Sequence, residues 1–528
     1  MERWKPAVPL TKRETFLVKR LGKVRTLFAF LRLHRHEIFD DAFQAQLETM
    51  YRQSGGDDPL PPAMLCMAIL LQGYVGASDQ EAVELTVVDL RWQLALDRLG
   101  AEEPLFAQGT LQAFRERLIA HDMDRVLMER TVAMVRATAT KPKQGDMLAK
   151  QVRVAIDSRP LSGAGRVEDT INLLGHAARV IVRIVSKLLR VTPERICREA
   201  GCRLLLEPSI KAGLDIDWSN PRQKATAIEI VERQVSSLQT WVETHLDDDV
   251  RASIRGYLDT VERVKEQDLV ETAAGKIAIK QLVAEDRQIS VEDTAMRHGR
   301  KSRSKRFDGY KEHVACDLDL PVILAVAVTP ANRPEEEGAR PLADDIARQG
   351  LEIHEAHVDR AYVNSEVMDE VRKRRGLVIA KPWALRPPRP GMFSKADFHI
   401  DMRTQTITCP TGQVEPFEPG ETVHFDPEAC GACPERASCT LAASGRGRSI
   451  SIANDEAQQK KFRLLQTTVA GRARLRKRVT VEHVLARIAG RKGRVARYRG
   501  VRKNLFDLRR AAAIQNLEAL FVIGKLAA

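Results

Sequence analysis

Apolar residues recur at helical spacing over residues 61–96 (PPAMLCMAILLQGYVGASDQEAVELTVVDLRWQLAL). This predicts packed helices entered through a Pro-Pro start, with Ser78 as a later N-cap. A second helical pair is predicted over 109–136, with Thr110 as its cap and Arg115, Arg117 and Arg125 interleaved among apolar positions. Short helices joined by tight turns admit a plain bundle or a helix-turn-helix that touches DNA. The polar stretch 141–146 (KPKQGD) reads as a linker. The period then changes: residues 151–157 (QVRVAID) alternate Val152, Val154 and Ile156, a strand signature ending in a carboxylate. Residues 167–288 turn helical again, with many alternating charges. Strand signals return at 309–316 (GYKEHVAC) and 322–328 (VILAVAV), a predicted hairpin, followed by a helix over 335–348. The segment 354–359 (HEAHVD) is a short strand that also ends in a carboxylate. A helix over 365–375 and a strand over 377–380 follow, and the Pro-rich stretch 381–391 opens a cysteine-bearing insertion. A strand at 449–453, one long helical run over 455–490 and a closing helix over 504–526 complete the pattern.

At 528 residues the chain is too long for one ordinary core. The pattern divides it into a helical region 1–145 for DNA binding or dimerisation, an α/β domain 150–500 carrying a helical insertion 166–290 and a Cys-rich insertion 384–448, and a C-terminal helix 501–528. With 44% hydrophobic and 29% charged residues it reads as globular, which excludes a disordered chain. No run approaches the roughly 20 apolar residues of a bilayer crossing, and residues 1–9 lack an apolar secretory core, so a soluble cytoplasmic protein without membrane contact is expected. Net charge is +13, and its placement matters more than its size: residues 471–510 hold fifteen Lys/Arg against Glu482 and Asp507 alone. Such a segment is an electrostatic footprint for a polyanion, nucleic acid above all, or else a solvated helix face.

Three acids draw attention: Asp157 and Asp359 at strand ends and Glu482 on a late helix. Joining or cleaving phosphodiesters calls for an activated attacking oxygen and a stabilised leaving oxygen, which two divalent cations about 4 Å apart supply together. Hard cations such as Mg²⁺ take a few carboxylates plus phosphate oxygens and water. Spacing alone does not single out these three among 71 acidic residues. Local context does. The segments Asp157-Ser158-Arg159-Pro160-Leu161 with Gly163 and Gly165, Met296 to Lys301 (MRHGRK), Phe307-Asp308-Gly309-Tyr310-Lys311, Asp359-Arg360-Ala361-Tyr362, and Arg478-x3-Glu482-His483 resemble, in order, those of bacterial insertion-sequence DDE transposases. The helices around 61–97 resemble the leading domain of such proteins, and the C-terminal third resembles their closing domain.

The resemblance implies an α/β, ribonuclease-H-like mixed sheet, cleavage of transposon DNA ends and strand transfer into target DNA. It implies two Mg²⁺ (or Mn²⁺) on Asp157, Asp359 and Glu482, recognition of terminal inverted repeats, a homodimeric or larger synaptic complex, and a nucleoid-associated bacterial protein. A same-fold nuclease without strand transfer and a non-catalytic DNA-binding derivative are the alternatives. Arg478 lies at i, i+4 from Glu482, on one helix face, as a phosphate clamp or an intrahelical ion pair. Ala361 stands where relatives often carry Gly, tolerable in a turn that is not left-handed. Leu475 and Ala489 stand where some relatives carry a Tyr and a Lys linked to a hairpin intermediate, which puts that route in doubt. The basic run 297–306 (RHGRKSRSKR) is expected to grip phosphates through Arg297, Arg300, Lys301, Arg303, Lys305 and Arg306, and the late segment through Arg474, Lys477, Arg491 and Lys492. His298 and His313 are expected to be structural. Cys409, Cys430, Cys433 and Cys439 lie as C-x20-C-x2-C-x5-C. A structural zinc, free reduced thiols and an oxidised pair are all open to them.

Overall fold

The computed structural model describes residues 2–51, 59–139, 150–302 and 304–527. Its centre is a six-stranded sheet of β1 (Gln151–Ser162), β2 (Arg297–Arg300), β3 (Arg306–Asp317), β4 (Ile323–Pro330), β5 (Glu352–Val358) and β6 (Leu377–Ile379). β1 pairs antiparallel with β3, and β3 pairs antiparallel with β4 and, through its first residues, with β2. On its other side β1 pairs parallel with β5, and β5 with β6. Three antiparallel strands in succession, followed by two parallel ones across the first, are the ribonuclease-H-like arrangement expected. Val154, Ala155 and Ile156 are fully buried, as befits a central strand covered on both faces.

β1 does not end at Asp157. Antiparallel pairing with β3 carries it on to Ser162, opposite Gly309. Only the parallel pairing stops there, at Ile156 opposite Val358. Gly309 makes the extension possible: its φ is +145°, and a Cβ would lie 2.3 Å from both Gly163 N and Leu161 O. The Phe-Asp-Gly-Tyr motif thus marks a backbone crossing.

Around the sheet the helices follow the sequence pattern with two differences. Ser78 caps the Asp79–Val88 helix in a reciprocal box with Glu81, as expected. Thr110 does not cap: the Gln108–Ala120 helix starts after Ala107, without a side-chain cap. The long run after residue 455 is broken into Glu456–Thr467, Val469–Arg476 and Val479–Lys492, with the Thr468 hydroxyl accepting from Gly471 N to start the second piece. The linker 141–146 lies outside the described residues.

Buried side chains fall into three clusters. The largest is continuous from Trp4 through the N-terminal helices and the sheet to Leu520. The closing helix Val501–Ala527 is central to it: Asn516, fully buried, bonds Ile323 N and O of β4 on one side and Thr131 of the Met123–Ala139 helix on the other. The helical insertion, built on Thr170–Leu189, Pro221–His245 and Asp248–Asp268, has its own core. The Cys-rich segment has a third, of seven buried apolar residues. No helix among the described residues is long and apolar enough to cross a membrane.

Candidate active site

Asp157 and Asp359 are neighbours in register. Ile156 pairs with Val358 across the parallel β1–β5 ladder, so the next residue of each strand is the acid. Asp359 leaves β5 as the cap of a single 3₁₀ turn, Arg360–Tyr362, its carboxylate accepting from Arg360 N at 2.8 Å. Ala361 lies in that turn and is not among the residues with positive φ, so the departure from glycine costs nothing. Glu482 comes to the same place through Arg478, whose guanidinium donates at 2.6 Å to Asp157 Oδ2 and at 2.6 Å to Glu482 Oε1. The i, i+4 ion pair is therefore half of a bridge between helix and sheet.

The helix bearing Glu482 is fixed at its far end. Lys492 Nζ reaches Glu312 of β3 at 2.5 Å and Asp507 at 3.1 Å, and Arg159 of β1 meets the same Glu312. Beyond the helix, Ser162 N donates to Arg494 O and Ala496 N to Ser162 O, which adds a strand-like bridge to the end of β1. A helix pinned to the sheet at both Arg478 and Lys492 has little freedom to carry Glu482 away.

Burial raises the Asp157 carboxyl above the ordinary range. Arg478 opposes that shift, while the charges of Asp359 and Glu335 reinforce it. Glu335, at the head of the Glu335–Gly338 turn, was not singled out by sequence: it lies in a run of three glutamates, and nothing local distinguishes it. Beneath the acids Tyr362 is buried, its hydroxyl 2.6 Å from His313 Nδ1, and His313 Nε2 is 2.9 Å from Thr329. Burial holds the His313 imidazole down to about 3, so it is a neutral packing group, as expected. His298 pairs with Asp308 at the surface. Among the described residues no three carboxylates, imidazoles or thiols stand ready to chelate one ion. The acids are nonetheless of the right kind, hard oxygen donors in a half-buried cleft holding mutually repelling carboxylates.

Two family models match the chain: Transposase DDE domain over residues 408–521, and Transposase domain (DUF772) over residues 23–117. Both matches are to transposase families, consistent with an insertion-sequence DDE transposase. The matches flank the sheet, so they include Glu482 and Arg478 while Asp157 and Asp359 fall between them. No curated protein and no solved structure matches the chain.

The cations of the chain are placed unevenly. Arg300, Lys301, Lys305 and Arg306 are exposed on the β2–β3 hairpin, and Lys477 is exposed next to Arg478 in the chain; Arg303 lies outside the described residues. Arg297 and Lys492 leave the DNA-facing set. Arg297 is buried against Asp286 and the Thr294 and Met296 carbonyls, and Lys492 against Glu312 and Asp507. Arg491 pairs with Glu518, and Arg474 with Glu355. In the N-terminal region Arg115 is held by Asp79, Arg125 by Asp122 and Glu129, and Arg117 lies over the Tyr51 ring. That arrangement is a bundle's internal bonding. Residues missed by sequence complete the cleft: Lys381, Arg472 and Arg476 line it with Arg478 and Glu482, and Arg360 stacks 4.5 Å over the exposed Trp383 ring. Arg472 and Arg476 sat inside the basic segment, but only the fold separates them from its buried members.

The four cysteines of the Cys-rich insertion line one small pocket. All are free and half-buried.

Proposed function

We propose that the protein cleaves transposon DNA ends and transfers the freed strand into target DNA, with Asp157, Asp359 and Glu482 as the metal-binding carboxylates. The observation that carries this is the Arg478 bridge, which brings Glu482 to Asp157 across 325 positions of chain beside the register-matched Asp359. Two Mg²⁺ or Mn²⁺ held by these acids would supply the charge that activates an attacking hydroxyl and stabilises the departing one. The chain's own residues do the rest by position and electrostatics. Arg478 neutralises Asp157 and Glu482 in the free protein and presents a two-pronged donor to a phosphate once those acids are otherwise engaged. Lys381, Arg476 and Lys477 set the backbone of a duplex beside the acids, and the β2–β3 hairpin cations extend the track. No protein nucleophile is required. Two DNA ends imply two active sites, hence a dimer or larger complex on terminal inverted repeats.

The test uses duplexes from the DNA flanking the coding region, purified protein and Mg²⁺. The expected result is a nicked end with a free 3′-hydroxyl and, on adding plasmid, joined product. The Asp157→Asn variant should bind the duplex and do neither. Cleavage without joined product would favour a nuclease, binding without cleavage by the unaltered chain a non-catalytic protein, and unchanged cleavage by Asp157→Asn would overturn the assignment.

A further inference from the structure

Between β6 and the Glu456–Thr467 helix the chain builds a module from five three-residue strands, His399–Asp401, Thr406–Thr408, Val414–Pro416, Thr422–His424 and Ser449–Ser451, and two short helices, Pro427–Ala432 and Arg436–Cys439. Its core is Phe398, Ile407, Phe417, Val423, Phe425, Ile450 and Ile452. Burial of seven apolar side chains sits in the range where small natural folds add a metal or disulfides to stay ordered. This module has no disulfide, yet Cys409, Cys430 and Cys439 pack directly on that core and Cys433 opens into the same pocket.

We propose that Cys409, Cys430, Cys433 and Cys439 bind one structural Zn²⁺ that closes this module, a site separate from the acids of the catalytic cleft. The backbone around them is shaped to hold sulfur. In the turn after Cys409, Cys409 N donates to Gln413 O at 2.8 Å, Gly412 N to Cys409 O at 3.0 Å, and Gln413 N to Cys409 Sγ at 3.2 Å. Gly412 takes the positive φ, +97°, that turns the Gln413 N–H back onto the sulfur. The Thr411 hydroxyl stands 3.2 Å from Cys409 Sγ and 3.6 Å from Cys433 Sγ, linking the isolated first cysteine to the C-x2-C pair. Cys430 and Cys433 bracket the end of one helix, and Cys439 ends the next, with Arg436 N bonded to Cys433 O at 3.1 Å.

Four thiols each lose a proton to bind, leaving a tetrathiolate zinc with net charge −2. Two cations already face the pocket. Arg436 is clamped on the carbonyls of Cys430, Ala442, Ala443 and Arg446, and Arg448 lies over the Phe398 ring. The sulfurs are not yet at chelating separation, so coordination draws them together by side-chain rotation. The consequence for the rest of the chain runs through Lys395, which bonds Glu456 and Ser451 O, while Glu456 also holds Arg463. The module therefore fixes the first helix of the segment that ends in Glu482.

The full chain, purified without chelator, should carry about one zinc per molecule by mass spectrometry of the metal. A mercurial reagent should release that zinc. The stripped protein refilled with Co²⁺ should show the sulfur-to-cobalt charge-transfer band of a tetrathiolate. The paired Cys430→Ser, Cys433→Ser variant should lose the metal, and Asp157→Asn should keep it, which separates this site from the catalytic reading. Absence of zinc together with no charge-transfer band from the unaltered chain would overturn the proposal, as would a disulfide among the four found by peptide mapping. Should the serine variant fail to fold, the cobalt spectrum of the unaltered chain still decides.

Discussion

Arg472 and Arg476 of the basic segment line a cleft, whereas Lys492, Arg509 and Arg510 further along it are buried in the interior. In the first part Arg472 and Arg476 are exposed and line the cleft with Glu482, and Lys477 is exposed. In the second, Lys492 serves Glu312 and Asp507, Arg502 and Arg509 serve Asp122 and Asp124, and Arg510 serves Asp507 and Gln72. Both stretches are rich in Lys/Arg, but the roles are opposite. An exposed cation keeps its hydration and can exchange it for a phosphate, so it acts in binding. A desolvated cation is tied to its carboxylate, because removing either partner strands the other. The difference follows from which helix face meets the core.

The comparison can be broken most severely at Lys492. Lys492→Ala leaves Glu312 and Asp507 short of a partner, with an expected destabilisation of about 3–5 kcal/mol, measured by urea denaturation; a loss of only a few tenths would mean the pair is dispensable. Arg478 stands at the border of the two parts. Arg478→Ala should lower DNA cleavage on the order of a hundredfold in single-turnover assays while leaving the thermal midpoint near that of the unaltered chain. A fall in stability with unchanged cleavage would move it to the structural side. In the exposed part, the paired Arg476→Ala, Lys477→Ala variant should reduce the slope of log affinity against log salt by about 2, with stability changed by no more than about 0.5 kcal/mol. Equal binding at all salt concentrations would take these residues out of the DNA track.

The smallest effect is in the acid limb of stability. Burial alone would raise Asp507, but Arg510 and Lys492 outweigh it and hold the carboxyl down to about 2. Its folded value lies below its unfolded one, so its contribution is complete above the ordinary carboxylate range and is lost as pH falls toward about 2. Between pH 5 and pH 2.5 the unaltered chain should lose more stability than Asp507→Asn does, and parallel curves would refute the pairing.

Much of this was legible along the chain. Val152, Val154 and Ile156 alternate as a strand must, and the motifs around Asp157 and Asp359, more than their place after two strands, marked them as candidates before any partner was visible. The bridging role of Arg478 was half legible, since i, i+4 spacing shows the Glu482 contact and nothing local shows Asp157. Long-range pairing stayed hidden. Arg297 and Lys492 looked like surface cations because Asp286 and Glu312 are identified as partners only by the fold, the second from 180 positions away. The extension of β1 to Ser162 was masked by Pro160, which reads as a strand breaker until β3 is seen beside it. Glu335 carried no signal at all.

The buried amide of Asn516 has a further consequence in time. It stitches β4 to the Met123–Ala139 helix from a segment synthesised after every other described element. During translation the sheet therefore waits with one face open, and its apolar strands are vulnerable to wrong partners until that helix emerges. Asp157 and Asp359 leave the ribosome long before Arg478 can bridge Asp157 to Glu482, so the three acids are brought together only late in synthesis.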